Sequence, residues 1–179
     1  MAYDRNKFKS LVHYICWRCD RERSKLGSVK LNKALWLSDL LAYYKFNEPI
    51  TGVRYVKRQF GPVPKPILPV LAELEEAGVL TIRDAKYFGR QKKEYIVHKE
   101  ATSAFMSEDE RDIVEDIIRF VCEEHTAASI SHASHDHIWK AALDGEELPH
   151  YTVFARPGEI TEDDREWANM VLGKEMAAV

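Results

Sequence analysis

VKLNKALWLSDLLAYYKF, Val29 to Phe46, carries apolar side chains on every side of a helix: Leu31, Ala34, Leu35, Trp36, Leu37, Leu40, Leu41, Ala42, Tyr43, Tyr44 and Phe46. A surface helix shows one apolar stripe, and a helix apolar all round belongs at the centre of its domain. Two polar residues inside this segment, Asn32 and Asp39, therefore need partners. A buried amide or carboxylate costs on the order of 1–3 kcal/mol or more when it is not hydrogen-bonded. Lys30 and Lys33 flank Asn32 at helical positions that cannot all point inward, so at least one of the two lysines is expected at the surface, available to a partner.

Upstream, Phe8, Leu11, Val12, Ile15, Cys16 and Cys19 recur at the 3.6-residue period of one buried stripe, which predicts a first helix. Arg18, Arg21, Arg23 and Lys25 continue as a basic outer face, and Gly27-Ser28 breaks the chain with Ser28 as the expected N-cap of the central helix. Downstream, Pro49-Ile50-Thr51-Gly52 precedes an extended stretch from Val53 to Phe60, and Gly61 and Pro62 are expected to set a turn. Prolines at 64, 66 and 69 suit the entry and first turn of a helix over Ile67 to Ala77, with Ile67, Val70, Leu71 and Leu74 inward and Gly78 closing it. Val79, Leu80 and Ile82 predict a short strand, residues 83–91 a polar turn, and Tyr95, Ile96 and Val97 the return strand. This order is that of a winged helix, a topological likeness that by itself carries no function.

In the C-terminal half, Ser107 and Glu110 form a capping box ahead of the stripe Ile113, Val114, Ile117, Ile118 and Val121, a helix running to about His125. Shorter helices are expected near 127–133 and 136–143, an extended Tyr151 to Phe154 follows Pro149, and a last helix begins at Thr161 with Trp167, Met170 and Val171 inward. With no repeat, low-complexity tract or linker, the expectation is one mainly α (α+β) domain over residues 1–179, multi-helical with a small winged-helix-like β-hairpin.

The totals narrow the function. A hydrophobic fraction of 45% in 179 residues supports a folded core, and no apolar run reaches the roughly 20 residues that cross a bilayer, so a cytoplasmic location without membrane contact is expected. Three cysteines argue for reduced thiols. The net charge of −3 hides an asymmetry: residues 1–100 hold 20 Lys/Arg against 11 Asp/Glu, and residues 101–179 hold 6 against 18. Such a split fits a nucleic-acid surface, a dock for charged partners, or two halves that face one another.

Cys16-x-x-Cys19 with Cys122-x-x-His125 has the spacing of a zinc set, but Cys16 and Cys19 fall on the apolar stripe of the first helix and Cys122 on another, where thiols behave as small hydrophobic groups. His132, His135 and His137 crowd one segment beside Asp136, without the i, i+4 pairing of a helical metal site, which leaves a metal-dependent enzyme as the weakest reading and no metal or cofactor as the expectation. No nucleophile elbow or phosphate loop is present, so catalysis is not expected. DNA binding is the serious competitor. Arg54, Lys57, Arg58, Arg83, Lys86, Arg90, Lys92 and Lys93 make the hairpin and its approaches basic. Against it, the would-be recognition helix carries Glu73, Glu75 and Glu76 and no Arg, Asn or Gln to read base edges.

In chain order, Val29-Lys-Leu-Asn-Lys-Ala-Leu-Trp-Leu-Ser-Asp39, Pro49-Ile-Thr-Gly52, Phe60-Gly-Pro-Val63 and the Leu71–Leu80 segment ending Glu-Ala-Gly-Val-Leu resemble the SocA-like, or Panacea, antitoxin-associated domain. Ser131, Ser134, His135, Trp139 and Lys140 look like the later Ser-His and Trp-Lys signature of that family. The likeness spans roughly residues 8–145, with 146–179 as an extension packed on the domain. The resemblance implies an antitoxin that binds and neutralises a protein toxin, often encoded beside it; blocking the toxin and handing it to a protease as downstream partner both stay open. It also marks Lys30, Asn32, Lys33, Asp39, Gly61, Pro62, Ser134, His135 and Trp139 as family-motif or partner-binding positions. The physical role expected for Asn32, Asp39, His135 and Trp139 is a buried polar and aromatic joint between the central helix and the C-terminal half.

Overall fold

Asp4 starts the first helix, its side chain accepting the Lys7 N–H at 2.9 Å while its own N–H donates to the Thr51 carbonyl. The computed structural model describes residues 2–20, 26–87, 89–133, 135 and 137–155. Expectations on Arg21, Arg23, Lys25, Ser134, Asp136 and the helix from Thr161 lie outside those residues.

Helix α1 (Arg5–Cys19) buries the predicted stripe, and α2 (Ser28–Phe46) runs through the middle. Its N-cap is Gly27 without a side-chain cap, not Ser28, whose hydroxyl instead meets the Tyr95 hydroxyl at 3.2 Å. Strands β1 (Tyr55–Arg58) and β2 (Gly61–Pro64) pair antiparallel around a turn at Gln59 and Phe60. Gly61 and Pro62 thus open a strand, which corrects the expected turn. Helix α3 (Ile67–Glu76) has Pro66 at its N-cap and buries Ile67, Val70, Leu71 and Leu74 as the spacing predicts, and Gly78 follows at φ 61°.

Strands β3 (Leu80–Tyr87) and β4 (Arg90–Val97) form a two-stranded hairpin. Of the residues expected as a polar turn, 83–87 and 90–91 are strand instead, and Gly89 keeps the turn. Arg83 lies opposite Glu94 and Asp84 opposite Lys93, with ion pairs at 2.7 Å in both cases, so this polar stretch is held by its ladder and its charges rather than by burial.

The capping box is present as predicted: Ser107 Oγ accepts the Glu110 N–H, and Glu110 accepts the Ser107 N–H. It opens α4 (Glu108–Ile118), whose apolar stripe is buried, but the chain then winds as a π-helix from Arg119 to Glu124. Helices α5 (Ala127–Ala133) and α6 (His137–Ala141) follow. Strand β5 (Glu147–Leu148), which the sequence did not signal, adds antiparallel to β1, giving the order β2-β1-β5. Tyr151 to Phe154, expected extended, is part of a 3-10 helix over His150–Phe154.

The architecture is mainly α with a small β component, and α2 packs against α1, α4, α5, β2 and the 3-10 helix. No described helix is long and apolar enough to cross a membrane. The charge asymmetry resolves into two halves that face each other: Lys7 pairs with Glu110, Arg18 with Glu115, Arg58 with Asp144, and both Arg54 and Lys65 with Glu147. Arg18 and the Tyr14 hydroxyl both donate to Glu115, holding its carboxyl below the ordinary range.

Candidate functional site

Helix α2 presents its polar residues in three directions, each met by a different neighbour. Asp39 is fully buried and accepts three hydrogen bonds: from the Thr51 N–H at 2.8 Å, the Thr51 hydroxyl at 2.7 Å and the Tyr55 hydroxyl at 2.8 Å. Trp36 and His150 pack on the Tyr55 ring. The carboxylate therefore fastens α2 to the segment entering β1. It does not join His135 and Trp139, which corrects the expected four-residue joint: an aspartate one helical turn beyond Leu35 reaches Thr51 and Tyr55 first. Thr51, Tyr55 and His150 were not singled out by sequence, although Ile50-Thr51-Gly52 was visible as a motif.

Burial raises the Asp39 pKa from 3.8 to about 6, against the lowering effect of its donors. A folded-state value above the unfolded one gives stability that is fully present below about pH 4 and is lost as pH rises through about 6. Measured by urea unfolding, wild type should accordingly gain on an Asp39→Asn variant as pH falls from about 7 to about 4. A constant difference across that range would contradict the assignment.

Lys30 and Lys33 are both buried, at 7% and 1% exposure, which overturns the expectation that one of them faces solvent. Their long aliphatic stems lie along the core and carry the ammonium groups toward its edge. Lys30 Nζ donates to the Cys122 carbonyl inside the π-helix at 3.2 Å, where the widened winding leaves a carbonyl to be satisfied. Lys33 Nζ fills the space beneath Gly61, whose φ is 120°, and a Cβ at that glycine would overlap the ammonium. Gly61 is thus required by the lysine's close approach as well as by its backbone conformation.

Asn32, expected inside, is only half-buried and lines an open groove of about 330 Å³. One wall is the first turn of α2, with Ser28 and Val29; the other is the β1–β2 hairpin, with Arg58, Phe60, Pro62 and Val63. Asp144 closes one end and pairs with Arg58 at 3.1 Å. Phe60, at the hairpin tip, is 58% exposed. Behind the tip, Ser131 Oγ donates to the Phe60 carbonyl at 3.1 Å and meets His135 Nε2 at 3.2 Å. The His135 ring stacks on Trp139 at 3.5 Å with 3° between planes, and Lys57 Nζ sits 4.3 Å from the Trp139 ring while donating to the Ala142 carbonyl. Burial, with the Lys33 charge nearby, lowers the His135 pKa and favours its neutral ring. Lys33, Gly61, Pro62, His135 and Trp139 therefore converge on one braced hairpin, with Asn32 at its groove; Asp39 stands apart, and Ser134 is outside the described residues.

The basic positions divide. Arg54, Lys57 and Arg58 turn toward the acidic half, as does Lys65 just beyond β2. On the outer hairpin, Arg83 and Lys93 are spent on cross-strand carboxylates, Lys86 is exposed, and Lys92 is half-buried against Gly27. The Arg90 side chain is outside the described set. Glu73 pairs with Arg5 and Lys9, and Glu75 accepts the Ile82 N–H.

Cys16, Cys19 and Cys122 are buried, with the Cys19 and Cys122 sulfurs 3.4 Å apart, and burial raises the Cys16 thiol well above its usual pKa. His125 turns away from them to Ser129 Oγ and the Phe120 ring. Among the described residues, no three His, Cys, Asp or Glu side chains are grouped so as to hold a metal ion.

A family model described as antitoxin SocA-like, Panacea domain, matches residues 31–140. No curated protein and no solved structure matches the chain.

Proposed function

Because the chain belongs to the SocA-like antitoxin (Panacea) family, we propose that it is the antitoxin of a toxin–antitoxin pair, neutralising a protein toxin by stoichiometric binding without catalysis of its own. The observation that supports this reading is how the polar groups behind the β1–β2 tip are used. Ser131 and Lys57 donate to main-chain carbonyls, and His135 is stacked flat on Trp139. Groups committed to backbone oxygens and ring faces stiffen a surface, and a stiff surface loses little entropy on association. The exposed Phe60 above them is the kind of aromatic anchor on which interfaces concentrate their energy.

The partner is a protein toxin, encoded by an adjacent gene. In co-expression, that neighbouring product should arrest growth alone and be tolerated together with this chain, and the two should co-elute as a complex of fixed stoichiometry. Growth arrest that persists in the presence of the chain defeats the reading. Repeating the rescue in cells lacking ATP-dependent proteases separates direct blockade, which survives there, from delivery of the toxin for degradation, which does not.

A further inference from the structure

We propose that the groove between the first turn of α2 and the β1–β2 tip is where the toxin docks, and that its occupant is a toxin segment presenting a carboxylate beside an apolar or aromatic side chain. This rests on the antitoxin reading above and specifies the surface that carries it.

The floor and walls supply the apolar half of that recognition through Val29, Phe60, Pro62 and Val63. Phe60 is more than half exposed although its own carbonyl is pinned by Ser131, so its position is fixed before any partner arrives. The charge balance supplies the other half. Arg58 lines the groove, and the α2 N-terminus beside it has neither a side-chain cap nor an acidic residue in its first turn. A helix N-terminus carries roughly half a positive charge, so these contributions add. Among the described residues that line the groove, one carboxylate faces them, Asp144. Its pair with Arg58 is weak by type, since both side chains are more than half exposed, at 53% and 71%. An incoming carboxylate can therefore take the place of Asp144 on the Arg58 guanidinium, while its apolar neighbour covers Phe60. The site is electropositive and apolar together, which selects an acidic segment with an anchor over a plain hydrophobic one.

The exchange predicts effects of opposite sign from two residues of the same groove. With the purified product of the neighbouring gene as probe, Phe60→Ala and Arg58→Glu should each weaken binding by about tenfold or more. Asp144→Asn, which removes the competing carboxylate, should tighten it. Leu68→Ser, on the exposed face of α3, should leave it unchanged. Thermal unfolding of each variant reports whether a loss comes from the fold, and all four positions are solvent-exposed enough to keep it. Wild-type affinity in both Phe60→Ala and Arg58→Glu overturns the groove while leaving the antitoxin reading intact. Failure of the wild-type chain to bind or rescue removes that reading and the groove's partner with it. A concentration-dependent dimer of the isolated chain that Phe60→Ala abolishes would assign the groove to a second copy instead, and also overturns the proposal.

Discussion

Replacing Asp39 with alanine should cost about 3–5 kcal/mol of folding stability at neutral pH. Three donors converge on this carboxylate, two from Thr51 and one from Tyr55, and all of them lie in the buried interior. Truncation leaves each without an acceptor, and an unpaired buried donor costs on the order of 1–3 kcal/mol, so the summed loss exceeds that of an ordinary core substitution. For a chain of this size the expected fall in Tm is roughly 10 °C. Tyr55→Phe removes a single donor together with its need for an acceptor and should cost only about 1 kcal/mol. The contrast is the informative measurement: if Asp39→Ala and Tyr55→Phe cost the same, the carboxylate is not the hub of this joint. The consequence is also positional, because Thr51 receives the Asp4 N–H through its carbonyl and so links the start of α1 to the same point.

Gly61→Ala should be comparably damaging, at about 3 kcal/mol or more, from two separable causes. An L-residue at φ 120° is strained by on the order of 1–3 kcal/mol, and the added methyl meets the Lys33 ammonium, which is 1% exposed and has little room to retreat. Lys33→Ala in the same chain vacates the space but not the backbone strain. The double variant should therefore be more stable than the two single losses added together, with a coupling of about 1 kcal/mol. Simple additivity would mean that lysine and glycine do not share the space.

Much of the fold could be read directly from spacing. The buried stripes of α1, α3 and α4, and the Ser107–Glu110 cap, are local patterns with a period, and local patterns survive into the structure. What spacing could not supply is which neighbour surrounds a residue. Lys30 and Lys33 were expected to compete with Asn32 for the interior because charge normally excludes burial. The π-helical carbonyl at Cys122 and the vacancy at Gly61 reverse that order, and both come from distant parts of the chain. Residues 83–87 and 90–94 hid their strands because charges stand on both faces, so no alternation marks them. At the candidate site, Gly61, His135 and Trp139 were visible as motif residues, yet the groove itself is completed by Val29, Phe60 and Asp144, which line one space only once β2 has packed on α2.

Among the described residues the β3–β4 hairpin has two strands, and neither of its outer margins is joined to a third. Open margins of this kind are where stray chains add themselves and fibrils begin. Here the ribbon carries its own gatekeepers. Arg83 opposite Glu94 and Asp84 opposite Lys93 put charge on both faces of the ribbon, and charged side chains on an edge oppose the addition of another chain. On the antitoxin reading proposed above, a protein that clings to one particular neighbour is in this way kept from clinging to itself along an open border.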